Sequence, residues 1–309
     1  ALIDRTDPAD PIARQFLPDP RELHVRPEER ADPIGDTAHS PVKGIVHRYK
    51  DRVLLKPIHV CPLYCRFCFR REFVGPGSEA LSAAELSAAL DYVREHKDIW
   101  EVIVTGGDPL MMSQRRIAEL VTAIDAIEHV KVLRWHSRVP IVDPERLTKE
   151  LADALGRSRK SVWLAVHCNH PRELTPAVEA ALWRLARAGV TLVSQTVLLK
   201  GVNDSVETLE TLMRRFVELG VRPYYLHQLD LAPGTSHFRV PIEDGQEIMR
   251  RLRGRLSGIA QPTYVLDIPG GFGKVPVGPR FVEDMLGDDY AVTDPNGDLH
   301  TYPPPAPFD

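Results

Sequence analysis

Three cysteines fall within eight residues of this chain and offer the clearest chemistry in the sequence. Cys61, Cys65 and Cys68 form the run Cys61-Pro-Leu-Tyr-Cys65-Arg-Phe-Cys68. Three thiolates can hold three irons of a cubane [4Fe–4S] cluster and leave the fourth iron open to chelate a ligand, whereas four-thiolate sites mostly carry electrons. A zinc site needs a fourth Cys or His, and the one other cysteine is Cys168. The spacing favours a cluster with an open iron over zinc or purely structural cysteines.

A lysine at the end of a glycine-rich turn is the second candidate for covalent chemistry. The run Pro269-Gly-Gly-Phe-Gly-Lys274 lacks the glycine spacing and the Ser or Thr of a phosphate-binding P-loop. Its glycines allow the backbone to approach a bound group closely. Lysine amines form Schiff bases with aldehydes, and pyridoxal phosphate (PLP) is the usual aldehyde in enzymes. Alone, the motif is more often a surface turn with an idle lysine, and it gains weight from the presence of the cysteine run in the same chain.

Alternating strand and helix patterns must position these groups. Short Val/Ile/Leu-rich runs alternate with amphipathic stretches, which predicts βαβ units and a parallel sheet. Six repeats of about 30 residues each favour an α/β fold with a partial (β/α)6 barrel, in which catalytic groups lie at the C-terminal ends of the strands. The predicted strands are Val53–Val60, Glu101–Thr105, Lys131–Ser137, Ser161–His167, Thr191–Leu198 and Arg222–Gln228, and the predicted helices are Ala83–Glu95, Gln114–Ile127, Pro144–Leu155, Pro176–Ala188 and Ser205–Leu219.

Two segments flank this predicted barrel. Residues 1–45 are rich in Pro, Asp and Arg and predict an irregular or short-helical arm, and residues 46–260 form the barrel core. Residues 261–309 carry Lys274 and end in an extended tail, Asp288–Asp309, with three successive prolines.

Composition and charge indicate a soluble catalyst. A hydrophobic content of 43% is enough for a large core, and a net charge of −4 gives no reason to expect nucleic acid or an anionic membrane as a partner. The sequence has no apolar run of about 18 residues, and we expect no signal peptide at its start and a true N-terminus upstream of Ala1. Four cysteines, three of them clustered, favour a reducing compartment, and we expect a cytoplasmic protein.

Further motifs follow one another in a definite order along the chain. The cysteine loop ends in Cys68-Phe-Arg70-Arg71, and the run that ends in Lys274 lies two hundred residues beyond it. With the cysteine spacing, these motifs resemble the lysine 2,3-aminomutase family of radical S-adenosylmethionine (radical SAM) enzymes. The similarity covers residues 9 to about 279 and includes Arg48–Arg52, Thr105–Pro109, His167–Pro171, Gln195–Asp204 and Arg222–Asp230.

The resemblance implies three sets of cofactor-binding residues. One set would hold the cluster, a second would line the SAM pocket, and a third would bind PLP, whose phosphate suits guanidinium groups. They are Cys61, Cys65 and Cys68 for the cluster, Gly106, Gly107, Asp108, His167 and Gln195 for SAM, and Lys274 (also the catalytic residue), Arg48, Tyr49 and Arg52 for PLP.

The resemblance also implies a substrate and a reaction. Arg70 would pair with the substrate α-carboxylate, while Asp230 and Asp267 would receive its distal ammonium group. SAM cleaved at the cluster would give a 5′-deoxyadenosyl radical that removes hydrogen from C3 of lysine held on PLP, and the amino group would then migrate to give β-lysine. Another amino acid such as arginine is the alternative within this family. A radical SAM enzyme without PLP, or a non-enzymatic metal-binding module, are the alternatives outside it.

Two departures from the family pattern affect assembly and biological role. Long members carry C-terminal cysteines for a structural zinc, and because no cysteine follows Cys168, we expect no such zinc. His227 stands where long members have tyrosine and where the shorter relatives that supply β-lysine for elongation factor P have histidine. Catabolism and elongation-factor modification both stay open.

The expected partners are an electron donor such as flavodoxin or ferredoxin and further copies of the chain in a dimer or tetramer.

Overall fold

One sheet of nine strands runs through the described residues, which are 2–75, 80–284 and 289–302 of this computed structural model. In chain order its strands are β1 Ile45–Tyr49, β2 Arg52–Ile58, β3 Glu101–Gly106, β4 Val132–Ser137, β5 Ser161–His167, β6 Thr191–Val197, β7 Val221–His227, β8 Thr263–Asp267 and β9 Lys274–Pro276. Strands β2 to β8 are parallel, and the outer strands β1 and β9 are antiparallel to their neighbours. Because spatial order equals chain order, each crossover adds the next strand on the same side and the sheet curls into a half-barrel.

Eight helices lie within the described residues, and five of them begin at a Ser or Thr side-chain cap. They are α1 Pro11–Phe16, α2 Ala83–Glu95, α3 Gln114–Asp125, α4 Val139–Val142, α5 Lys149–Gly156, α6 Pro176–Arg187, α7 Val206–Glu218 and α8 Ile242–Arg255. Ser82, Ser113, Thr148, Thr175 and Ser205 each accept the backbone N–H of the third helical residue. These caps define where the five helices start, and apolar faces of the helices pack with the sheet into one large hydrophobic core.

The parallel half-barrel predicted from the sequence is confirmed. Ser161–His167 and Ala83–Glu95 match the structure residue for residue, and the other predicted strands differ by one or two residues at an end. The prediction of a helix from Pro144 is wrong, because α5 begins at Lys149. Thr148 caps that helix, while Pro144–Arg146 forms a separate 3₁₀ turn.

The sheet is larger than the predicted six strands. Strand β8 pairs in parallel with β7 beyond residue 260, where the sequence placed the end of the barrel core, and β1 and β9 add antiparallel edges. The tail is also more ordered than predicted, since Val282–Asp284, Tyr290–Thr293 and Leu299–Tyr302 form a separate antiparallel sheet of strands β10, β11 and β12. The three prolines at 303–305 lie outside the described residues, and the division into arm, core and C-terminal segment stays a prediction.

A smaller hydrophobic cluster lies beside the cysteine run. It contains Phe67, Leu199, Val202, Leu229 and Phe238, with the half-buried Cys65 packed against it. Burial of Phe67 therefore anchors the segment between the second and third cysteines. No helix in the described ranges has both the length and the apolarity that crossing a membrane requires.

Candidate active site

One cavity of about 720 Å³ on the inner face of the sheet brings all the predicted site residues together. A volume of this size is sufficient for small-molecule ligands. The structure thus collects residues that are up to 226 positions apart in sequence, although the role of each one stays a prediction. The predicted residues that line it are Arg48, Tyr49, Arg52, Cys61, Cys65, Cys68, Arg70, Gly106, Gly107, Asp108, His167, Gln195, Asp230, Asp267 and Lys274.

The start of the cysteine loop is held by the glycines that end β3. The backbone N–H of Gly107 donates to the carbonyl of Ile58 at 2.8 Å, and that of Asp108 donates to the carbonyl of Val60 at 2.9 Å. A Cβ on Gly107 would lie 2.5 Å from the Val60 oxygen, and Gly106 has a φ of +114°. Only glycine permits this approach, so the two glycines position Cys61 as well as lining the cavity.

The three thiols form a donor set suited to a multi-iron cluster. Burial and the Asp108 carboxylate raise the pKa of Cys61 to about 12, and burial and Cys65 raise the pKa of Cys68 to about 11. Thiolates at these positions therefore need a strongly positive partner, which iron supplies. Within the described ranges, no three His, Cys, Asp or Glu side chains are arranged around a single ion. A cubane instead holds its thiolates apart, at separate corners.

Asp108 directs its carboxylate into the protein. Its oxygens accept from the Ser137 hydroxyl at 2.7 Å and from three backbone N–H groups, those of Leu110, Arg138 and Val139, at 2.7 to 3.1 Å. The side chain therefore ties the end of β3 to the turn after β4. A contact with SAM at this position would use the backbone of the strand end.

His167 and Gln195 are neighbours across strands β5 and β6. Burial, together with the nearby Arg138, lowers the pKa of His167 well below its usual value, so the imidazole is neutral. Its Nε2 is buried and has no hydrogen-bond partner among the described residues. A buried polar nitrogen without a partner is unusual in a folded protein, and the SAM-binding role of His167 stays a prediction.

The β8–β9 hairpin places Lys274 opposite Asp267. Gly270, Gly271 and Gly273 have φ values of +93°, +92° and +97°, which L side chains rarely adopt. The Lys274 ammonium contacts the Asp267 carboxylate directly and lies 3.3 Å from Nδ1 of His227. The glycine run thus serves to turn the chain so that this amine faces the cavity.

Tyr49 links the lysine to the predicted phosphate-binding residues. Its hydroxyl accepts the backbone N–H of Lys274 at 2.8 Å, and the Arg52 guanidinium lies 3.7 Å above its ring. Arg48 lines the same cavity wall, with its Nη2 donating to the carbonyl of Ile34 at 2.5 Å. The cavity thus carries one amine and two guanidinium groups, a set that fits an anionic aldehyde such as PLP.

The pKa values of Asp230 and Asp267 are shifted in opposite directions. Burial opposes ionisation of Asp267, but contacts with His227 and Lys274 outweigh it and lower the pKa to about 2. Burial and the charge of Asp267 raise the pKa of Asp230 to about 7. The pair therefore carries between one and two negative charges near neutral pH and would be stabilised by a cation placed between them.

We expect Asp230→Asn to stabilise the protein more at pH 8 than at pH 5, and to change its stability little only below the ordinary pKa of an aspartate. The folded Asp230 retains its proton up to pH of about 7, whereas the unfolded residue loses it near its ordinary pKa. The free energy of unfolding therefore falls as the pH rises through this window, and Asn removes that loss, which is about 2–4 kcal/mol. Urea denaturation of both proteins at both pH values measures it, and an equal effect at pH 5 and pH 8 would contradict the burial of this carboxyl.

Asp36 is the acidic partner of the cations on the other side of the site. Its Oδ2 accepts from Nε and Nη2 of Arg70 at 3.0 and 2.9 Å, and its Oδ1 accepts from Arg48 at 3.3 Å. Lys56 lies 3.8 Å away. Asp36 thus orients two arginines that the sequence assigned to different ligands, and the two predicted sites share one charge network.

Comparison with known proteins agrees with this arrangement. The profile of the Radical SAM superfamily matches residues 55–216, and the lysine-2,3-aminomutase profile matches residues 249–308. L-lysine 2,3-aminomutase of Clostridium subterminale is 41% identical over 305 residues, covering 99% of this chain and 73% of the relative. The chain belongs to the lysine 2,3-aminomutase family of radical SAM enzymes. It is therefore an enzyme of the isomerase class.

Two further comparisons show the breadth of this family and of its fold. Glutamate 2,3-aminomutase of Clostridioides difficile is 36% identical, covering 94% of this chain and 68% of the relative. The solved structure of native anSMEcpe with bound AdoMet and Cp18Cys peptide aligns with a TM-score of 0.52 at 14% identity, covering 66% of this chain and 59% of that one. At this identity the likeness shows the fold alone. Membership in the superfamily implies SAM and a [4Fe–4S] cluster.

Three residues of this family member were not assigned roles from the sequence. Asp36 lies in the arm and resembles a solvated charge, and Arg138 follows a strand without any motif. His227 was noted only as a departure from long relatives, yet it contacts Lys274 and also accepts from Gln195 Nε2 at 3.0 Å. The sequence could have indicated two of them by their position, since Arg138 follows the end of β4 and His227 ends β7, and the predicted residues also lie at or after strand ends.

Proposed function

We propose that this enzyme converts L-lysine to β-lysine with a [4Fe–4S] cluster, SAM and PLP. The observation that carries the proposal is the grouping of Lys274, Asp267 and Asp230 in the same cavity as the three cysteines. An amine for a cofactor aldehyde, acids for a basic substrate and thiols for a cluster are the groups that this reaction needs.

The residues around the cavity would divide the binding of these groups. Cys61, Cys65 and Cys68 would hold the cluster, Lys274 would attach PLP, and Arg48 and Arg52 would bind the PLP phosphate. When bound, the cluster and SAM supply a radical that removes hydrogen from unactivated carbon, and PLP supplies a π system that delocalises the unpaired electron. The protein orients these groups and excludes water from them.

The charge distribution favours a substrate with a carboxylate at one end and a cation at the other. Arg70 would receive the α-carboxylate, while Asp230 and Asp267 would receive the ε-ammonium of lysine. A neutral or acidic side chain would leave the acid pair unpaired and desolvated, which disfavours glutamate. The ammonium group of Lys274 itself contacts the Asp267 carboxylate, so an alkylammonium group fits beside this acid.

We expect Asp267→Ala to raise the lysine concentration for half-maximal rate by about 10²-fold, because a desolvated ammonium loses its closest carboxylate. The SAM concentration for half-maximal rate should change by less than about threefold. Steady-state kinetics against each ligand, with the PLP content of both proteins measured, test this. Asp267→Asn is the matched variant, since it retains the shape and removes the charge. Equal damage to lysine and SAM dependence would contradict the ammonium-binding role.

A substrate panel tests the choice of amino acid. The reconstituted enzyme is incubated with L-lysine, L-arginine or L-glutamate, and the products are separated by chromatography with mass detection. We expect lysine to be the best substrate by at least about tenfold, because its ammonium matches the acid pair without the bulk of a guanidinium. Faster turnover of arginine or glutamate would overturn the assignment of lysine and retain the reaction class.

A further inference from the structure

Arg138 is a buried cation directed at one of the three cysteines. It follows β4, its side chain is only 6% exposed, and its Nη1 donates to Sγ of Cys65 at 2.9 Å. Its Nη2 donates to Oε1 of Gln15 at 2.6 Å and to Oε1 of Glu173 at 2.7 Å. One terminal nitrogen of the guanidinium therefore contacts the cysteine loop, and the other contacts the protein interior.

Aromatic and backbone contacts fix this side chain further. The guanidinium carbon lies 4.6 Å from the ring centroid of Phe16 and 5.4 Å from that of Phe67. The backbone N–H of Arg138 donates to Asp108, the residue that ties β3 to the turn after β4. Burial, stacking and three hydrogen-bonded neighbours hold the charge in place with little freedom to reorient.

The counter-charge of Glu173 lies on the side away from the cysteine. Glu173 Oε1 accepts from Nη2 of Arg138, whereas its Oε2 accepts the backbone N–H groups of Asn169 and His170 at 2.9 and 2.8 Å. The negative charge of Glu173 is thus stabilised by two backbone N–H groups as well as by Arg138. Because Nη1 alone contacts Cys65, the positive end of the pair is the nearer one to the sulfur.

We propose that Arg138 is a positioning residue for the iron–sulfur cluster: it orients the Cys65 sulfur and stabilises the negative charge that the cluster gains on one-electron reduction. A hydrogen bond to a ligand sulfur and a fixed cation both raise a cluster's reduction potential. Both act strongly where water is excluded. The inference rests on the proposed role of the three cysteines and extends it to the ease with which the electron is accepted.

A pair of variants isolates the positive charge. Arg138→Met combined with Glu173→Gln removes the cation and its carboxylate together, so that no buried charge is left unpaired. Glu173→Gln alone is the matched control, because it leaves the contact between Arg138 and Cys65 in place. Both proteins are reconstituted anaerobically with iron and sulfide, and the midpoint potential is measured by titration with dithionite monitored by electron paramagnetic resonance.

We expect the double variant to have the lower potential, with the ratio of reduced to oxidised cluster at a given applied potential at least about tenfold smaller than in Glu173→Gln, which corresponds to about 59 mV. Equal potentials in the two proteins would overturn the inference.

Arg138→Lys in the wild-type background is the second test, since it retains the charge and loses the forked geometry. We expect it too to lower the potential, and a potential unchanged from wild type would contradict the role of the hydrogen bond. A wild-type protein that binds no cluster would overturn the cysteine assignment itself and is distinguishable from both results.

Discussion

Lys274→Ala is expected to lower the rate of lysine isomerisation by at least about 10³-fold. The cleavage of SAM at the cluster, with dithionite as the reductant, should remain measurable. The amine of Lys274 faces the cavity from the glycine turn, with Asp267 and His227 beside its Nζ. No second lysine lines the cavity in the described ranges, so none there replaces it. The cysteines lie on a different loop and should still assemble the cluster.

The measurement compares three quantities in the wild-type and variant proteins. These are β-lysine formed, 5′-deoxyadenosine released and PLP retained after gel filtration. Lys97→Ala is the control, because that side chain is exposed and outside the cavity. If Lys274→Ala isomerised lysine at the wild-type rate, the chain would be a radical SAM enzyme that does not need PLP on this residue.

Cys65→Ser is expected to abolish the brown absorbance of the reconstituted cluster together with turnover. A serine hydroxyl is a poor iron ligand, and Cys65 is the cysteine contacted by Arg138. Iron and sulfide per chain, the visible spectrum and the release of 5′-deoxyadenosine should all fall to the background level.

Cys168→Ser is the matched control for this experiment. Cys168 is fully buried beside Glu173 and does not line the cavity, so its replacement should leave iron content and spectrum unchanged. A Cys65→Ser protein with a full complement of iron and normal turnover would contradict the cysteine assignment. Loss of iron in Cys168→Ser but not in Cys65→Ser would contradict it as well.

The sequence predicted the half-barrel because its repeats are long and regular, and it missed the strands that depend on partners. Strand β9 has three residues and exists because the glycine turn returns it to β8. Strand β8 has five residues and follows Pro262, and the helix before it, α8, was not predicted from the sequence either. Such short strands are specified by pairing within the folded sheet, which local pattern does not record.

The sequence suggested roles for residues that occur in motifs and suggested none for residues such as Asp36 and Arg138, whose contacts are long-range. Asp36 and Arg70 are separated by 34 positions and Arg138 and Cys65 by 73, with no periodicity to connect them. A lone charged residue is most often solvated. Burial of these charges follows from the closure of the arm and the cysteine loop over the sheet, and only the fold reveals it.

The most direct test of the account is an anaerobic assay of the reconstituted enzyme with PLP, SAM, dithionite and L-lysine, in which each component is omitted in turn. We expect β-lysine in the complete mixture and none when any one component is missing. Release of 5′-deoxyadenosine without β-lysine would retain the radical SAM chemistry and reject lysine as the substrate. β-Lysine formed without PLP or without SAM would contradict the central claim that one cavity joins both cofactors in a single reaction.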